Sequence, residues 1–570
     1  MEMPFLTAYR DGFADVFCTY WRFVAPVLAI LILWRCAKPL LRFRKEPEIW
    51  AWLVMPDGQQ LPVTHWENII GRSRGCDIIV KFPTVSRNHA VLTRYDDGSW
   101  SITDIGSRGA ITVNGADVSV CALQYGDKIS LGGVEMVLVP TTAEEVEDQK
   151  YYRTRPNEVN LPSLTLIFLT IFQILTVAQL WLAMEDATQV VIGFAALIGV
   201  EWALFTALKL MHRSGFEVET IAFFLSTMGL AVIASSDASE ILKQIVCVIG
   251  GIVIYLIIGW SLRDLGRAKK FRYVAAVGGV LLLGANLVLG QEINGARNWI
   301  AIGSMSFQPS ELVKLCFIYV GASTMDRVVT KRNLISFIIY SAGICGCLAL
   351  MNDFGTALIF FVTFLVIAFL RSGSFATVAL ACASTGFAGV MALRFKPYVL
   401  KRFATWGHAW EHPLTGGYQQ VESMKCIAAG GLFGIGAGNG WLKHVAASDT
   451  DLVFAFVCEE WGFLLGVLAV LAIVVLGVFV VRSCAIGRSS FYTIGACAAI
   501  AILLTQTILN VFGTMDLLPL TGVTFPFLSN GGSSMLSCWG LLAFIKAADT
   551  RQNASFAVKT ARAEEVENDE

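Results

Sequence analysis

Charge is what this sequence has least of. Only 15% of its 570 residues are Asp, Glu, Lys or Arg, against 55% hydrophobic ones, and 43 basic against 44 acidic side chains leave a net charge of −1. So few charges cannot cover a soluble surface of this size, which places most of the chain in lipid. The mean hydropathy of +0.62 agrees. Near-neutrality also removes any global field that would draw in nucleic acid or an acidic partner. Metal-binding spacing is missing too. The 14 cysteines are scattered through apolar runs, as at Cys247, Cys316, Cys345, Cys347, Cys458, Cys497 and Cys538, without a paired Cys-x-x-Cys or Cys/His pattern. They read as small buried hydrophobes.

What is present is a series of apolar runs. The first, VFCTYWRFVAPVLAILILWRCA, is followed at once by KPLLRFRK, whose cations are retained in the cytoplasm by the positive-inside rule. The preceding segment is not basic and no small-residue cleavage site follows, so the run reads as an anchor, not a signal peptide. Further apolar segments lie near 161–184, 188–211, 217–235, 241–260, 273–290, 311–325, 333–351, 354–371, 374–393, 453–482, 491–514 and 530–548, several reaching the ~20 residues a spanning helix requires. Counting crossings puts RDLGRAKKFR, DRVVTKRN, RSGS and VRSCAIGRSS inside, and puts outside the loops near 291–310 and 394–452 and the stretch TMDLLPLTGVTFPFLSN. One basic cluster, RFKPYVLKR, falls on the outer side; headgroup contact and binding of an anionic substrate both remain open for it.

Between the first run and the rest, residues 48–140 carry short β-rich stretches separated by PDG, DDG and NG turn signals. This is a small all-β domain on the cytoplasmic side of the count. Its segment GRSRGCDIIVKFPTVSRNHAVLTRYDDGSWSITDIGSRGAITVNG resembles the forkhead-associated (FHA) domain, a β-sandwich that binds phosphothreonine peptides. A phosphate dianion needs bidentate Arg and short hydroxyl or backbone donors. The resemblance puts Arg72, Ser86 and Arg87 at the phosphate contacts and His89 in loop support. In the second binding loop the family's Ser-Thr-Asn-Gly-Thr becomes Ser107-Arg108-Gly109-Ala110-Ile111, where Arg108 could replace a hydroxyl contact with a charge.

The outward stretches NGARNWIAIGSMSFQPSELVKL, NDFGTAL, GGYQQVESMKCIAAGGLFGIGAGNG with DTDLVFAFVCEEWG, and LPLTGVTFPFLSNGGSSML resemble the SEDS family, the FtsW/RodA/SpoVE proteins of bacterial division, elongation and sporulation. The resemblance implies a polytopic α-helical membrane protein of ten core helices, here with about three extra, that polymerises lipid II in a groove opening to the outer leaflet. It is expected in the bacterial plasma membrane. The domains expected are an anchor with its basic segment (1–47), the FHA domain (48–140), a linker (141–160), an extra transmembrane hairpin (161–212), the SEDS domain (213–550) and a cytoplasmic tail (551–570). Glu311 and Lys314, at i and i+3, share a helix face and can pair; family position makes them groove residues near the lipid pyrophosphate. Arg297 becomes a second pyrophosphate cation. Asp353 sits as an N-cap as readily as a chemical group, and Glu459 and Glu460 match paired glutamates of helix packing and groove shape.

The family's general base is an Asp in a D-P-x-x-x-G-Y-Q pattern. Here that stretch is WEHPLTGGYQQ, with His412 at the Asp position and Glu411 before it. Three readings stay open: His412 acts as the base, Glu411 supplies the carboxylate after a small loop shift, or the protein is catalytically silent and scaffolds cell-wall proteins. A flippase for lipid-linked precursors would use the same groove. The expected partners are lipid II, a class B penicillin-binding transpeptidase and a phosphothreonine-containing protein, with no nucleic acid. No cofactor is required, although a divalent cation at the pyrophosphate is open.

Overall fold

The computed structural model describes residues 4–41, 47–73, 75–95, 98–149, 161–184, 187–293, 296–302, 305–324, 331–372, 375–395, 404–551 and 554–557. The expectations for the basic segment at 42–46, most of the linker, the basic cluster at 396–402 and the tail beyond 557 lie outside the described residues.

The β-rich stretch forms β1 (Ala51–Val54), β2 (Gln60–Val63), β3 (Glu67–Gly71), β4 (Ile78–Ile79), β5 (Ala90–Arg94), β6 (Trp100–Asp104), β7 (Ile111–Val113), β8 (Ala116–Val118), β9 (Val120–Leu123), β10 (Lys128–Leu131) and β11 (Val134–Pro140). They make two sheets, ordered β2-β1-β11-β10-β7-β8 and β4-β3-β5-β6-β9. Alternating apolar residues close the core between them, among them Leu53, Ile70, Leu92, Trp100, Ile129 and Leu138. The antiparallel register pairs Ile70 with Ala90 and Ala90 with Asp104 at one end, and Glu67 with Thr93 at the other. That register gives the sandwich two distinct ends.

The helices are α1 (Pro4–Leu41), α2 (Pro162–Ala183), α3 (Thr188–Leu210), α4 (Glu217–Asp237), α5 (Ile241–Leu262), α6 (Leu265–Leu289), α7 (Pro309–Thr324), α8 (Lys331–Leu350), α9 (Phe354–Ser372), α10 (Phe375–Phe395), α11 (Tyr418–Gly430), α12 (Val453–Glu460), α13 (Phe463–Cys484), α14 (Ser490–Thr514) and α15 (Gly532–Ala547). Among the described residues eight helical stretches are long and apolar enough to cross a membrane. One of these, Glu217–Leu262, has 46 residues, about 69 Å of continuous helix at 1.5 Å per residue, twice a hydrocarbon core. It breaks at Asp237, whose carboxylate accepts the Ser239 amide at 3.0 Å, giving α4 and α5. The run near 453–482, read as one segment in the sequence, is likewise two helices, because Gly462 at φ 94° turns the chain between α12 and α13. Two features had no apolar signal: the loop near 291–310 pairs as β12 (Gln291–Ile293), β13 (Ala296–Ile302) and β14 (Met305–Phe307), and the long loop 394–452 contains α11.

Helices α7 and α15, with 16 residues each, are shorter than the eight, and protein packs closely around them. All but two of the sixteen residues of α15 are buried. Its glycines allow close approach: a Cβ on Gly540 would meet Leu315 at 2.6 Å, and one on Gly251 of α5 would meet Trp539 at 2.7 Å. The extra helices are joined to the body by a buried amide, since Gln173 Nε2 donates to Glu201 at 2.8 Å and to Thr227 at 3.0 Å, linking α2, α3 and α4.

Gly251→Val should therefore force Trp539 out of its rotamer and destabilise the bundle by about 1–3 kcal/mol, whereas Val at Gly284, which has nothing within 4 Å of a built Cβ, should not. Thermal unfolding in detergent checks the difference.

Candidate functional sites

At one end of the bundle a groove of about 310 Å³, with a largely apolar surface, carries polar side chains among its lining, including Asn298, Gln308, Asp353, Asp451 and Thr521, beside Trp299. Asp353 is held in place by three donors. One carboxylate oxygen caps α9 by accepting the Thr356 amide at 3.1 Å, and the other accepts Asn298 Nδ2 at 3.2 Å and Gln308 Nε2 at 3.3 Å. Among the described residues, Asn298 Oδ1 and Thr521 Oγ1 are buried with no hydrogen-bond partner. Across the groove Asn530 Nδ2 donates to Asp449 at 2.8 Å. Asn510 of α14 donates to the carbonyls of Asp451 and Val523, both at 2.9 Å. Gly522, at φ 69°, leaves room for Asp451, whose carboxylate would lie 3.2 Å from a Cβ there. Ala447, at φ 61°, also lines the groove and is a strained position for a residue with a side chain.

The residues expected from the sequence are distributed around this groove, not gathered in it. Glu311 and Lys314 pair at 2.6 Å, with Ser537 Oγ donating to Glu311 at 2.6 Å. Both are buried, inside α7, one turn beyond the groove residue Gln308. Arg297 alternates with Ala296 and Asn298 along β13 and is exposed, outside the lining set. Glu411 and His412 are exposed on a short 3₁₀ turn, Ala409–Glu411, and do not line the groove. Asp516 fixes that turn by accepting the amides of Gly407 and Ala409 at 3.2 Å each. Trp406 donates to the Leu517 carbonyl at 3.1 Å, two residues before the groove residue Pro519. Glu459 accepts the amides of Trp441 at 2.8 Å and Leu442 at 3.0 Å, and Glu460 that of Gly440 at 3.2 Å, so the pair organises the loop before α12. The sequence reading missed Asn298, Gln308, Thr521 and Asp451 as a set. Their stretches were singled out, but only folding brings segments more than 200 residues apart together.

The second site lies on the β-domain. Arg72 and Arg87 are exposed on adjoining loops, where the Arg72 amide donates to the Ser86 carbonyl at 3.0 Å and that of Ser73 to the Arg87 carbonyl at 3.0 Å. Gly71 is required here, because any Cβ would collide with the Arg87 carbonyl. Ser86 Oγ accepts the Arg108 amide at 3.0 Å, and a hydroxyl that accepts can also donate. Arg108 is exposed beside it. His89 is buried beneath the loops, its Nδ1 accepting the Ser86 amide at 3.1 Å. Asp104 orders the next loop through the amides of Gly106 at 3.0 Å and Ser107 at 2.9 Å.

A third constellation joins the two domains. Glu67 is 2% exposed; Lys269 Nζ reaches it at 2.6 Å and Ser490 Oγ donates to it at 3.2 Å. Arg488 pairs with Glu48 at 2.8 Å and donates to the Thr550 carbonyl at 2.8 Å. Trp66 packs edge-on to Tyr492 at 6.0 Å between ring centroids and belongs to the apolar cluster of the bundle, not to that of the sandwich.

Helical bundle, groove and inserted β-sandwich define a multi-pass membrane protein that carries an FHA domain. The family model of FtsW, RodA and SpoVE, described as cell cycle protein, matches residues 219–554, and the FHA domain model matches 68–132. The chain belongs to the FtsW/RodA/SpoVE family. It is 36% identical over 284 residues to a probable peptidoglycan glycosyltransferase FtsW of Pseudoalteromonas translucida, covering 47% of this chain and 70% of that protein. It is 34% identical over 264 residues to stage V sporulation protein E of Bacillus subtilis, covering 43% and 69%. A solved chain described under structural coordination of polymerization and crosslinking by a peptidoglycan synthase complex aligns at 24% identity, covering 58% of this chain and 96% of that one, with a TM-score of 0.48.

Because Nδ1 is an acceptor, His89 is neutral in the fold. Burial lowers its pKa below the ordinary 6.5, against the opposing pull of Asp104. The unfolded chain takes up a proton that the folded one refuses, so the stability tied to neutral His89 is full above about pH 6.5 and is lost as pH falls through the lowered value. Pulse proteolysis in urea should show the β-domain weakening from pH 7.5 to 5, and His89→Gln should flatten that dependence.

Proposed function

We propose that the chain polymerises the sugar units of lipid II, with the groove holding the saccharide and the FHA domain, on the cytoplasmic side, binding a phosphothreonine protein that controls where or when this happens. The observation that supports the reading best is the chemistry of the groove. Amides, hydroxyls, two carboxylates and the indole of Trp299 share one cavity, a set suited to hydroxyl- and amide-bearing pyranosides. The unpartnered Asn298 Oδ1 and Thr521 Oγ1 offer hydrogen bonds that a sugar would complete.

In the reaction, an acceptor sugar hydroxyl attacks the anomeric carbon, its proton passes to a general base, and the bond to the lipid pyrophosphate breaks with inversion. Asp353 is a poor candidate for the base, since its oxygens already receive three donors. The rim turn supplies His412 or Glu411. Arg297, exposed on β13 between two groove residues, is available to the pyrophosphate, while Lys314, paired with Glu311, sets the position of α7. Among the described residues no group of three or more His, Cys, Asp or Glu is placed to hold a metal ion, and no step here is assigned to a cation. A class B penicillin-binding transpeptidase is the proposed partner, as the family resemblance implies. The exposure of His412 and Glu411 outside the groove favours a second reading, a catalytically silent scaffold.

Purified protein in proteoliposomes with lipid II decides between them. His412→Ala or Glu411→Ala should lower glycan formation by about a hundredfold or more, and Asn298→Ala should act mainly on KM. No polymer from the wild type, with the transpeptidase present, would leave the scaffold. Binding of a phosphothreonine peptide library should drop at least about tenfold in Arg72→Ala, the loss expected for a charge-assisted hydrogen bond.

A further inference from the structure

The β-domain meets the bundle by the end of its sandwich opposite Arg72, Ser86 and Arg108. β3 connects the two ends. It starts at Glu67, held by Lys269 and Ser490, and finishes about 13 Å away at Gly71, beside the Arg72 amide that donates to Ser86. All five of its residues are buried, so the strand has no slack. The partner surface is equally defined. Ser489 caps α14 through the Phe491 amide at 3.3 Å, Ser490 bonds Glu67, and Tyr492 packs on Trp66 while donating to the Leu262 carbonyl at 2.7 Å. About 30 Å further along the same helix, Asn510 holds the carbonyls of Asp451 and Val523, and Asp451 and its neighbours form one wall of the groove.

We propose that phosphothreonine occupancy at one end of β3 and the conformation of the groove at the far end of α14 are thermodynamically linked through this dock, so that the FHA domain acts as a fixed regulatory part of the membrane body and not only as a tethered recruiter. Its ligand rests on the phosphothreonine reading above; its wiring rests on the contacts alone. The two states are docked and undocked. A ligand shifts them only by its difference in affinity; docking would supply that difference by holding Glu67 at the start of the strand that leads into Arg72. Linkage is reciprocal: a peptide that favours the docked state must itself be bound less well when the dock is broken.

The test uses the full chain in nanodiscs and begins without ligand. Hydrogen exchange is followed in three places: the 485–490 turn, the groove segments 447–451 and 519–524, and the sandwich core at Val91, Leu92 and Ile102. Glu67→Lys and, separately, Lys269→Glu, which leaves the β-domain sequence untouched, should each speed exchange severalfold in the turn and in the groove segments with the sandwich core still protected. The exchanged pair Glu67→Lys/Lys269→Glu should restore it. Faster exchange confined to the turn overturns the link, as does a double variant that restores nothing. A phosphothreonine peptide library, with the unphosphorylated library as control, is then added. Glu67→Lys should weaken Arg72-dependent binding about tenfold, within the usual range of coupling between sites; unchanged affinity overturns the coupling. If the wild type shows no Arg72-dependent binding, the phosphothreonine reading fails, and the ligand-free exchange alone decides whether dock and groove are joined.

Discussion

Charge withdrawn from water is costly unless paired, and among the described residues several buried pairs lie where the β-domain meets the helices. Lys546 and Glu219 are fully buried at 2.9 Å, with Tyr255 donating to the same carboxylate. Arg551 bridges Asp549 at 2.6 Å and Glu217 at 3.1 Å. Thr550, between them in sequence, accepts from Arg488, which pairs with Glu48 of the β-domain. Taking one member from such a buried pair costs roughly 3–5 kcal/mol, because the other charge is left stranded. Exposed pairs such as Lys243–Glu240 and Lys425–Glu422 contribute at most about 1 kcal/mol. The buried set therefore fixes the relation between the end of α15, the start of α4 and the sandwich, and the exposed set does not.

That asymmetry separates what could be read from the sequence from what could not. The β-domain was legible because its chemistry is local: Gly71, Ser86 and His89 lie within nineteen positions, and the turn signals mark strand ends. The long apolar helices were legible because lipid imposes one composition along a whole element. Helix α11 was hidden because it packs on protein in a polar loop, and the break at Gly462 was hidden because a single φ of 94° leaves no trace in hydropathy. Trp66 reads as an ordinary strand-flanking aromatic, yet it belongs to the core of the other domain. A partner surface from residues 269 and 488–492 is invisible until the chain is folded.

The groove shows the same limit in its carboxylates. Asp353, Asp449 and Asp451 all lie in stretches that carried the family resemblance, yet their surroundings set them apart. Asp353 spends both oxygens on a helix cap and two amides, which makes it a fixed post for β13 and α7. Asp449 holds Asn530, and with it the entry to α15. Asp451 is placed by its backbone, through Asn510 of α14, and its carboxylate faces the space that Gly522 leaves open. Asp353 inside the groove and Asp449 beside it thus orient the segments around them. The side chains whose lone pairs face solvent, Glu411 and His412, stand on a turn tied by Asp516 to the rim. His412 stands at the end of that turn, outside the groove lining. Cavity and turn are held by separate sets of donors, so a substitution at position 412 leaves the bonds that build the cavity in place.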